Sequence, residues 1–318
     1  MLTGHLQIAV TVLAFALVVG FSALLRNRGV LRKQDAEVFA RLLTQAVLPV
    51  VIFSQLIQHP PSSRHLLAVL AMFVAGCVNL AAAHWLAGMM HFSRPRTGAL
   101  MIVSSFGSSS LLGYPIVQFA FPDNPEALTY AILISEVAVG LPIFTICPIV
   151  AMQFGEWEHE RTSLKDAALR YVRSPIFLAV ALGLVLGTLR PPLDAPLLQP
   201  VLQAFQMISG ALAALSCLIL GLQMEVKSPQ GLFPMLVISV LLQLVIEPLM
   251  AYGQAIVYGI DPLERRVLVL VACMPSAVLG TVFATRYKCE GEMASAVAFM
   301  NIVLSLIGIP LVFALLGR

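Results

Sequence analysis

Ten runs of apolar residues, each near the length that crosses a lipid bilayer, dominate this sequence. They cover about residues 5–25, 38–58, 66–90, 97–121, 127–153, 175–190, 199–224, 231–258, 263–286 and 293–316. A membrane-spanning α-helix needs about 20 consecutive apolar residues, and only the sixth run is clearly shorter. Composition agrees, because 59% of the 318 residues are hydrophobic and 11% are charged, against about a quarter charged in soluble domains. The sequence therefore predicts an all-α, multi-pass membrane protein with ten transmembrane helices.

Positively charged residues are unevenly distributed between the predicted loops. If the N-terminus lies outside, 14 of the 19 lysines and arginines fall on the inner side. The inner set is Arg26, Arg28, Arg32, Lys33, Arg41, Arg94, Arg96, Arg161, Lys165, Arg170, Arg173, Lys227, Arg286 and Lys288, and the outer set is Arg64, Arg190, Arg265, Arg266 and Arg318. Because cytoplasmic loops carry an excess of Lys and Arg, this distribution predicts a protein of the inner (plasma) membrane with both termini outside.

Two of the apolar runs contain residues that break helices. The stretch Gly107–Pro115 lies mid-way along the fourth run, and Ala272–Ala277 lies mid-way along the ninth. Proline lacks the N–H that the helix requires, so we predict breaks near Tyr114-Pro115 and near Pro275. A broken helix leaves backbone polar groups open, which lipid tolerates only where they are buried in protein or line a cavity. Two broken spans in corresponding halves of a chain are typical of a transporter's binding site.

Short matches between the two halves of the chain indicate an internal repeat. The matches are Leu17–Gly20 with Leu184–Gly187, Pro115 with Pro275, and Gly140–Ile143 with Gly308–Leu311, at offsets of 160 to 168 residues. Each half holds five spans, an odd number, so the second half must enter the membrane from the opposite side. We therefore predict two inverted five-helix repeats, residues 1–153 and 175–318, joined by a cytoplasmic linker at 154–174, with spans four and nine as broken crossing helices.

Four short motifs resemble the auxin efflux carrier family. They are Leu48-Pro49-x-x-x-Phe53 in span two, Gly113-x-Pro115 in span four, Ala272-x-Met274-Pro275-x-Ala277-Val278 in span nine and Ser305-x-x-Gly308-x-Pro310 in span ten. The resemblance covers nearly the whole chain, and the short central loop is similar to that of compact bacterial members, some of which are described as malonate or malate permeases. It implies ten helices with broken spans four and nine. It also implies a scaffold of spans one, two, six and seven, often dimeric, and a transport unit of the remaining spans that moves as an elevator.

Two positions depart from the family pattern. Members commonly have Asn seven residues before the span-four proline and often Asn four residues after the span-nine proline, where this chain has Ser108 and Leu279. An Asn amide can donate to and accept from a bound carboxylate, whereas Ser keeps part of this capacity and Leu has none. The substrate therefore does not carry over from the resemblance, and a membrane sensor that binds a small ligand without transporting it stays an alternative.

The residues beside the two breaks form the candidate substrate site. Half-helix N-termini expose N–H groups and carry a partial positive charge, which suits an anionic group such as a carboxylate. The predicted substrate contacts are Ser108, Ser109, Ser110, Gly113, Tyr114 and Pro115 at the first break and Pro275, Ser276 and Asn301 at the second, with Thr281 nearby. The alternative role for the small hydroxyl residues is close packing between helices in lipid.

Two carboxylates within apolar runs, Glu136 in span five and Glu247 in span eight, are candidate ion-coupling residues. A charge at membrane depth costs about 2.5–3.5 kcal/mol on insertion scales, so such a residue faces a cavity, pairs with a neighbour or stays protonated. Glu136 lies nearer the midplane and is the first choice for a proton-coupling group, with a structural hydrogen bond as its alternative. For Glu247 the alternative is a local structural role, with Gln243 as its partner; Asn79 is another deep amide. Sodium coupling also stays open, because hydroxyls and freed carbonyls near the breaks can coordinate Na⁺.

Other classes of function find little support in the sequence. It contains no G-x-S-x-G, no H-E-x-x-H and no phosphate-binding glycine loop with lysine, which favours neither an enzyme nor ATP-driven transport. Its five cysteines show no metal or disulfide spacing, and its net charge of +3 indicates no nucleic-acid partner. No cofactor is expected beyond H⁺ or Na⁺ as the coupling ion. We therefore predict a secondary active transporter of a small organic anion, a mono- or dicarboxylate such as malonate or malate.

Overall fold

The chain forms a bundle of helices in a computed structural model that describes residues 4–156, 169, 172–193, 195, 196, 198–223 and 231–316. No β-strand occurs in these residues. The helices are α1 (Gly4–Asn27), α2 (Asp35–Gln58), α3 (Leu66–Met89), α4 (Arg94–Ser105), α5 (Tyr114–Ala120), α6 (Glu126–Phe154), α7 (Pro175–Leu189), α8 (Gln199–Gln223), α9 (Leu232–Val257), α10 (Pro262–Ala272), α11 (Val278–Arg286) and α12 (Gly291–Leu316). Most of the predicted linker at 154–174 lies outside the described residues.

Seven of the described helices are long and apolar enough to cross a bilayer, namely α1, α2, α3, α6, α8, α9 and α12. The apolar helix α7 is shorter, at 15 residues, and the pairs α4–α5 and α10–α11 occupy the predicted spans four and nine. Large apolar side chains such as Leu13 and Leu17 are more than 60% exposed on α1, as expected of a surface that faces lipid. The chain is therefore an all-helical, polytopic membrane protein, whereas the total of ten spans and the inverted repeat stay predictions.

Within the described residues, four helical segments widen into π-helical turns, and each is followed two residues later by a proline. The pairs are Leu43–Val47 with Pro49, Ser109–Gly113 with Pro115, Ile134–Gly140 with Pro142, and Leu242–Ile246 with Pro248. A proline inside a helix offers no N–H and its ring crowds the carbonyl four residues earlier. A π turn shifts that carbonyl out of register, so the chain passes these prolines without ending the helix.

The first helix break does not lie at Tyr114-Pro115, where the sequence predicted it. It lies about two helical turns earlier, at Phe106–Ser108, between α4 and the π turn Ser109–Gly113. Pro115 instead directly follows the π turn Ser109–Gly113, which runs into α5, so the helix passes this proline without a break. The second break, at residues 273–277, includes Pro275 as predicted.

The two broken helices form the centre of the molecule. Every residue from 97 to 109 and every residue from 267 to 277 is buried. The surrounding helices shield both breaks from lipid, which is the condition under which irregular backbone is tolerated at membrane depth.

The two ends of the helical bundle form two faces, which differ in the contacts between their helix ends. On one face, Arg94 donates to the carbonyl of Gln153 and Ser93 to the carboxylate of Glu290; we call this the basic face, because it also holds the Arg26 end of α1. On the other face, where α1 begins and α12 ends, His65 contacts Glu264; we call this the terminal face. The basic face is the one predicted to lie in the cytoplasm.

The helices pack in two groups. The second half of α2 packs closely on α7, and α8 packs on both α1 and α2. The helices α3–α6 and α9–α12 pack mainly on one another, for example α3 on α4 and α11 on α12. Helix α1 also contacts α12 and α5, so it forms much of the interface between the groups. The scaffold and transport unit that the resemblance implies stay a prediction.

Candidate functional site

The two helix breaks bind each other through their backbones. Gly107 and Ser276 form an isolated antiparallel bridge. The amide of Ser108 donates to the carbonyl of Pro275 at 2.6 Å, and the amide of Ala277 donates to the carbonyl of Phe106 at 3.1 Å. These bonds satisfy backbone groups that two broken helices would otherwise leave open in a buried site. The two breaks, which we call the crossing, are thus held together by two reciprocal backbone hydrogen bonds.

Glycine is required at this bridge because the two backbones approach closely. A Cβ atom on Gly107 would lie 2.7 Å from the carbonyl oxygen of Met274. A Cβ on Gly113 would meet the Met274 side chain only at 3.4 Å, an ordinary van der Waals distance. The crossing therefore tolerates no side chain at Gly107, whereas Gly113 leaves room for a small one.

A buried network of polar side chains holds the second break. Asn301 on α12 places its Nδ2 within 2.7–2.9 Å of Ser239 Oγ, Gln243 Oε1 and Ser276 Oγ. The Ser276 hydroxyl lies 2.5 Å from the carbonyl of Val103, near the end of α4. Ser239, Gln243, Ser276 and Asn301 are all fully buried. Two residues predicted to contact substrate, Ser276 and Asn301, thus bond helices α4, α9 and α12 to the break.

Glu136 is hydrogen-bonded to the residue that begins α5. The Tyr114 hydroxyl donates to Glu136 Oε1 at 2.5 Å, and both side chains are buried. Glu136 lies in the π turn Ile134–Gly140 of α6. The bond therefore links span five to the half-helix after the first break, which is the structural hydrogen bond that the sequence left open as one of two roles.

Glu247 is the more deeply buried of the two acids, at 1% exposure. Its Oε2 accepts from Asn79 Nδ2 at 2.9 Å, and the same Asn79 nitrogen lies 3.2 Å from the Leu242 carbonyl. The prediction that Gln243 is the partner of Glu247 is wrong, because the Gln243 side chain bonds to Ser276 and Asn301 instead. Within the described residues, Glu247 Oε1 and Asn79 Oδ1 have no hydrogen-bond partner, and no cationic side chain pairs with Glu247.

A cavity of about 370 Å³ lies beside the second break, between the two groups of helices. Its walls come from α1 and α8 on one side and from α11 and α12 on the other. Val278, the first residue of α11, and Gly291, the first residue of α12, both line it. Two helix N-termini therefore meet the cavity, and their partial positive charges favour a negatively charged ligand.

Polar side chains line the cavity toward the basic face. They are Lys33, Gln223, Thr281, Thr285, Glu292 and Ser295. Lys33 and Glu292 are exposed, so the cavity reaches the surface at this face. Of these residues the sequence singled out Thr281 alone, because the others lie in loops or at helix ends far apart along the chain. The signal for Lys33 in the sequence is its place in the basic loop that follows α1.

The predicted substrate-binding residues lie at the crossing, and none of the nine lines this cavity. Ser108 and Ser109 are buried and Ser110 is half-buried, and their hydroxyls make no hydrogen bond with described residues. Tyr114, Pro115 and Pro275 are buried in the crossing itself. The structure thus brings all nine residues together around the two breaks, and their role in substrate binding stays a prediction.

Comparison with known proteins assigns the chain to a family. The model of the family described as membrane transport protein matches residues 5–313. The chain belongs to this family. The match confirms the resemblance to auxin efflux carriers noted from the motifs. The protein is therefore a membrane transport protein that crosses the bilayer several times.

Two archaeal relatives align along almost their entire lengths. An uncharacterized transporter of Methanothermobacter thermautotrophicus is 26% identical over 303 residues, which cover 95% of this chain and 96% of the relative. An uncharacterized transporter of Methanocaldococcus jannaschii is 24% identical over 311 residues, which cover 96% and 97%. Neither description names a substrate.

Proposed function

We propose that the protein is a secondary active transporter of a small organic anion, a mono- or dicarboxylate such as malonate or malate. The cavity between the two groups of helices carries this proposal. Its volume of about 370 Å³ falls within the range of small-molecule sites. The helix N-termini at Val278 and Gly291 favour a carboxylate, and they act against the negative charge of Glu292 on the same wall. Hydroxyls of Thr281 and Ser295 supply further donors.

The packing of the helices supports alternating access of the elevator type. In this proposal α1, α2, α7 and α8 form a fixed scaffold, which pairs with a second copy in a homodimer, and the other helices move against it. The cavity reaches the basic face, proposed to be cytoplasmic. At the terminal face, Gln7 on α1 donates to the carbonyl of Phe119 on α5, which is a contact between the two groups of helices. Movement of the crossing toward the terminal face would open the site to the outside.

Proton coupling is the first choice, and burial favours Glu247 as its site. Glu247 is 1% exposed and has no cationic partner among the described residues, so its charged form is strongly disfavoured. Protonation in this conformation would neutralise Glu247. The resulting hydroxyl group would be a hydrogen-bond donor for Asn79 Oδ1, which has no partner among the described residues. Glu136, bonded to Tyr114 at the crossing, is the second candidate. The alternative is sodium coupling, for which the hydroxyl of Ser276 and the carbonyl of Val103 supply oxygen ligands beside the second break.

Counterflow uptake of labelled malonate into proteoliposomes tests this function, with and without a pH gradient. We expect saturable uptake that a proton gradient stimulates. In Glu247→Gln the stimulation is lost while counterflow remains, because the isosteric amide mimics the protonated acid. The matched control is Glu37→Gln, since Glu37 is about 70% exposed and pairs with Arg41 on the surface of α2.

Three other outcomes would redirect the assignment. Saturable uptake that ignores the pH gradient but requires Na⁺ would replace the proton with sodium. Stimulation that survives Glu247→Gln and disappears in Glu136→Gln would move the coupling site to the crossing. Ligand-induced thermal stabilisation without uptake of any carboxylate would favour a sensor over a carrier.

A further inference from the structure

A second cationic site lies at the terminal face, away from the cavity. Arg266, in the second turn of α10, places its guanidinium carbon 5.3 Å from the ring centroid of Phe121 and 5.8 Å from that of Phe313. Both rings are buried, at 6% and 0% exposure. Phe121 directly follows α5, and Phe313 lies in the last two turns of α12. Three helix ends thus hold one guanidinium group, since each ring face attracts it.

Arg266 has no anionic partner in the described part of the chain. Its Nε is buried without a hydrogen bond, and no carboxylate lies within ion-pair distance. The acid nearest in sequence, Glu264, contacts His65 instead. A half-buried cation without a counter-ion is unfavourable, because it has lost part of its hydration without an ionic partner to replace it. An incoming anion would remove this cost.

The guanidinium group itself determines which anion suits the site. Its contacts with the two rings are cation–π contacts, and its N–H groups lie in the guanidinium plane, so a ligand that bonds to them approaches from the edge. Edge-on approach is the geometry in which a carboxylate accepts two parallel hydrogen bonds from arginine. Lysine would provide a point charge without this fork, which makes the site selective for a planar, bidentate group.

We propose that Arg266, Phe121 and Phe313 form a carboxylate-binding site at the terminal face, separate from the cavity. The cavity contacts α12 only from Gly291 to Leu306, whereas Phe313 belongs to the opposite end of that helix. The inference rests on the proposed function for its ligand class, because the site would hold the carboxylate of a transported anion on the side opposite the cavity.

A fluorescent reporter tests this site directly. The two native tryptophans are replaced by Trp85→Phe and Trp157→Phe, and Phe121→Trp then places a single indole against Arg266. Malonate is titrated into the full-length protein in a neutral detergent. We expect a saturable change in emission, weakened at least about tenfold by Arg266→Gln and also by Arg266→Lys, because the bidentate charge-assisted pair is lost.

Matched variants separate this site from its neighbours. Arg265→Gln removes the same charge from the adjacent position, where the guanidinium lies over Tyr252, and should leave malonate affinity within about twofold. Lys33→Gln alters the cavity and should leave the reporter signal unchanged. The proposal is overturned by a signal that survives Arg266→Gln, by the absence of any malonate signal, or by a signal that only phosphatidylglycerol produces. A normal titration in a protein without counterflow would reject the proposed transport and keep this site.

Discussion

At the scale of single residues, buried polar side chains divide into those that hold the crossing and those that are open to a ligand. Ser276 and Asn301 bond α4, α9 and α12 to the second break, so their loss would affect the fold before it affected binding. Among the described residues, the Thr281 hydroxyl bonds only to the Val278 carbonyl within α11, at 2.8 Å, and Thr281 lines the cavity. The residue most suited to test binding is therefore Thr281 and not Ser276.

Thr281→Val should weaken substrate binding without destabilising the protein. Valine keeps the shape of threonine and removes one hydroxyl, so we expect KM for malonate counterflow to rise about three- to tenfold, the value of one net hydrogen bond. Thr145→Val is the control, because Thr145 also bonds only within its helix, to the Leu141 carbonyl, and lies outside the cavity. Equal kinetic effects of both variants would contradict a ligand role for Thr281.

At the scale of secondary structure, the two broken helices depend on each other. Each break supplies the hydrogen-bond partners of the other, and the bridge leaves no room for a side chain at Gly107. The neighbouring π turns have a different origin, since they accommodate prolines within helices that continue. The two features therefore have different causes. The helix breaks allow the two backbones to approach closely, whereas the π turns accommodate proline.

Gly107→Ala should destabilise the crossing. The added Cβ would meet the Met274 carbonyl oxygen at 2.7 Å, and such overpacking costs about 1–3 kcal/mol. We expect a lower Tm in detergent and reduced counterflow. Gly20→Ala provides the comparison, since nothing lies within 4 Å of a Cβ at Gly20 in α1. An unchanged Tm in Gly107→Ala would mean that the bridge adapts and that its close contact is not required.

At the scale of the whole molecule, the interface between the two groups of helices determines whether the protein can move as proposed. Within the scaffold group, α1 and α8 are joined by the bond from Ser22 to the Leu218 carbonyl at 3.0 Å. Between the groups at the terminal face, Gln7 and Phe119 are in contact at 3.3 Å. An elevator motion would preserve the first contact and break the second.

A thiol cross-link between the groups should therefore stop transport. In a Cys77→Ser background, Gln7→Cys combined with Phe119→Cys places two thiols across the interface, and a short bismaleimide joins them. We expect cross-linked protein to lose malonate counterflow, because the moving group is locked to the scaffold. The control pair, Phe53→Cys with Phe205→Cys, joins α2 to α8 within the scaffold, where the two native rings lie 5.9 Å apart, and should keep counterflow after cross-linking. Activity in both cross-linked proteins would rule out relative movement of the two groups at this point.

The sequence predicted much of the architecture, because lipid imposes strict local requirements on the chain. Apolar runs of spanning length required a multi-pass helical protein. Both crossing helices could be predicted from glycine and proline in the middle of an apolar run, at Gly107–Pro115 and Ala272–Ala277. These residue types interrupt helical hydrogen bonding. Four short motifs were sufficient to identify the family, later confirmed over residues 5–313. The first break was misplaced, because a proline that follows a π turn causes no break.

Only the tertiary structure decided which distant residues meet. Asn79 bonds Glu247 across 168 residues of sequence, and Gln243 bonds Asn301 instead of its near neighbour Glu247. The cavity combines parts of α1, α8, α11 and α12, and Arg266 contacts the rings of Phe121 and Phe313 from distant parts of the chain. Sequence by itself determines where helices form and break, since those are properties of neighbouring residues. Partners, cavities and unpaired charges depend on how helices pack, which no local pattern of residues specifies.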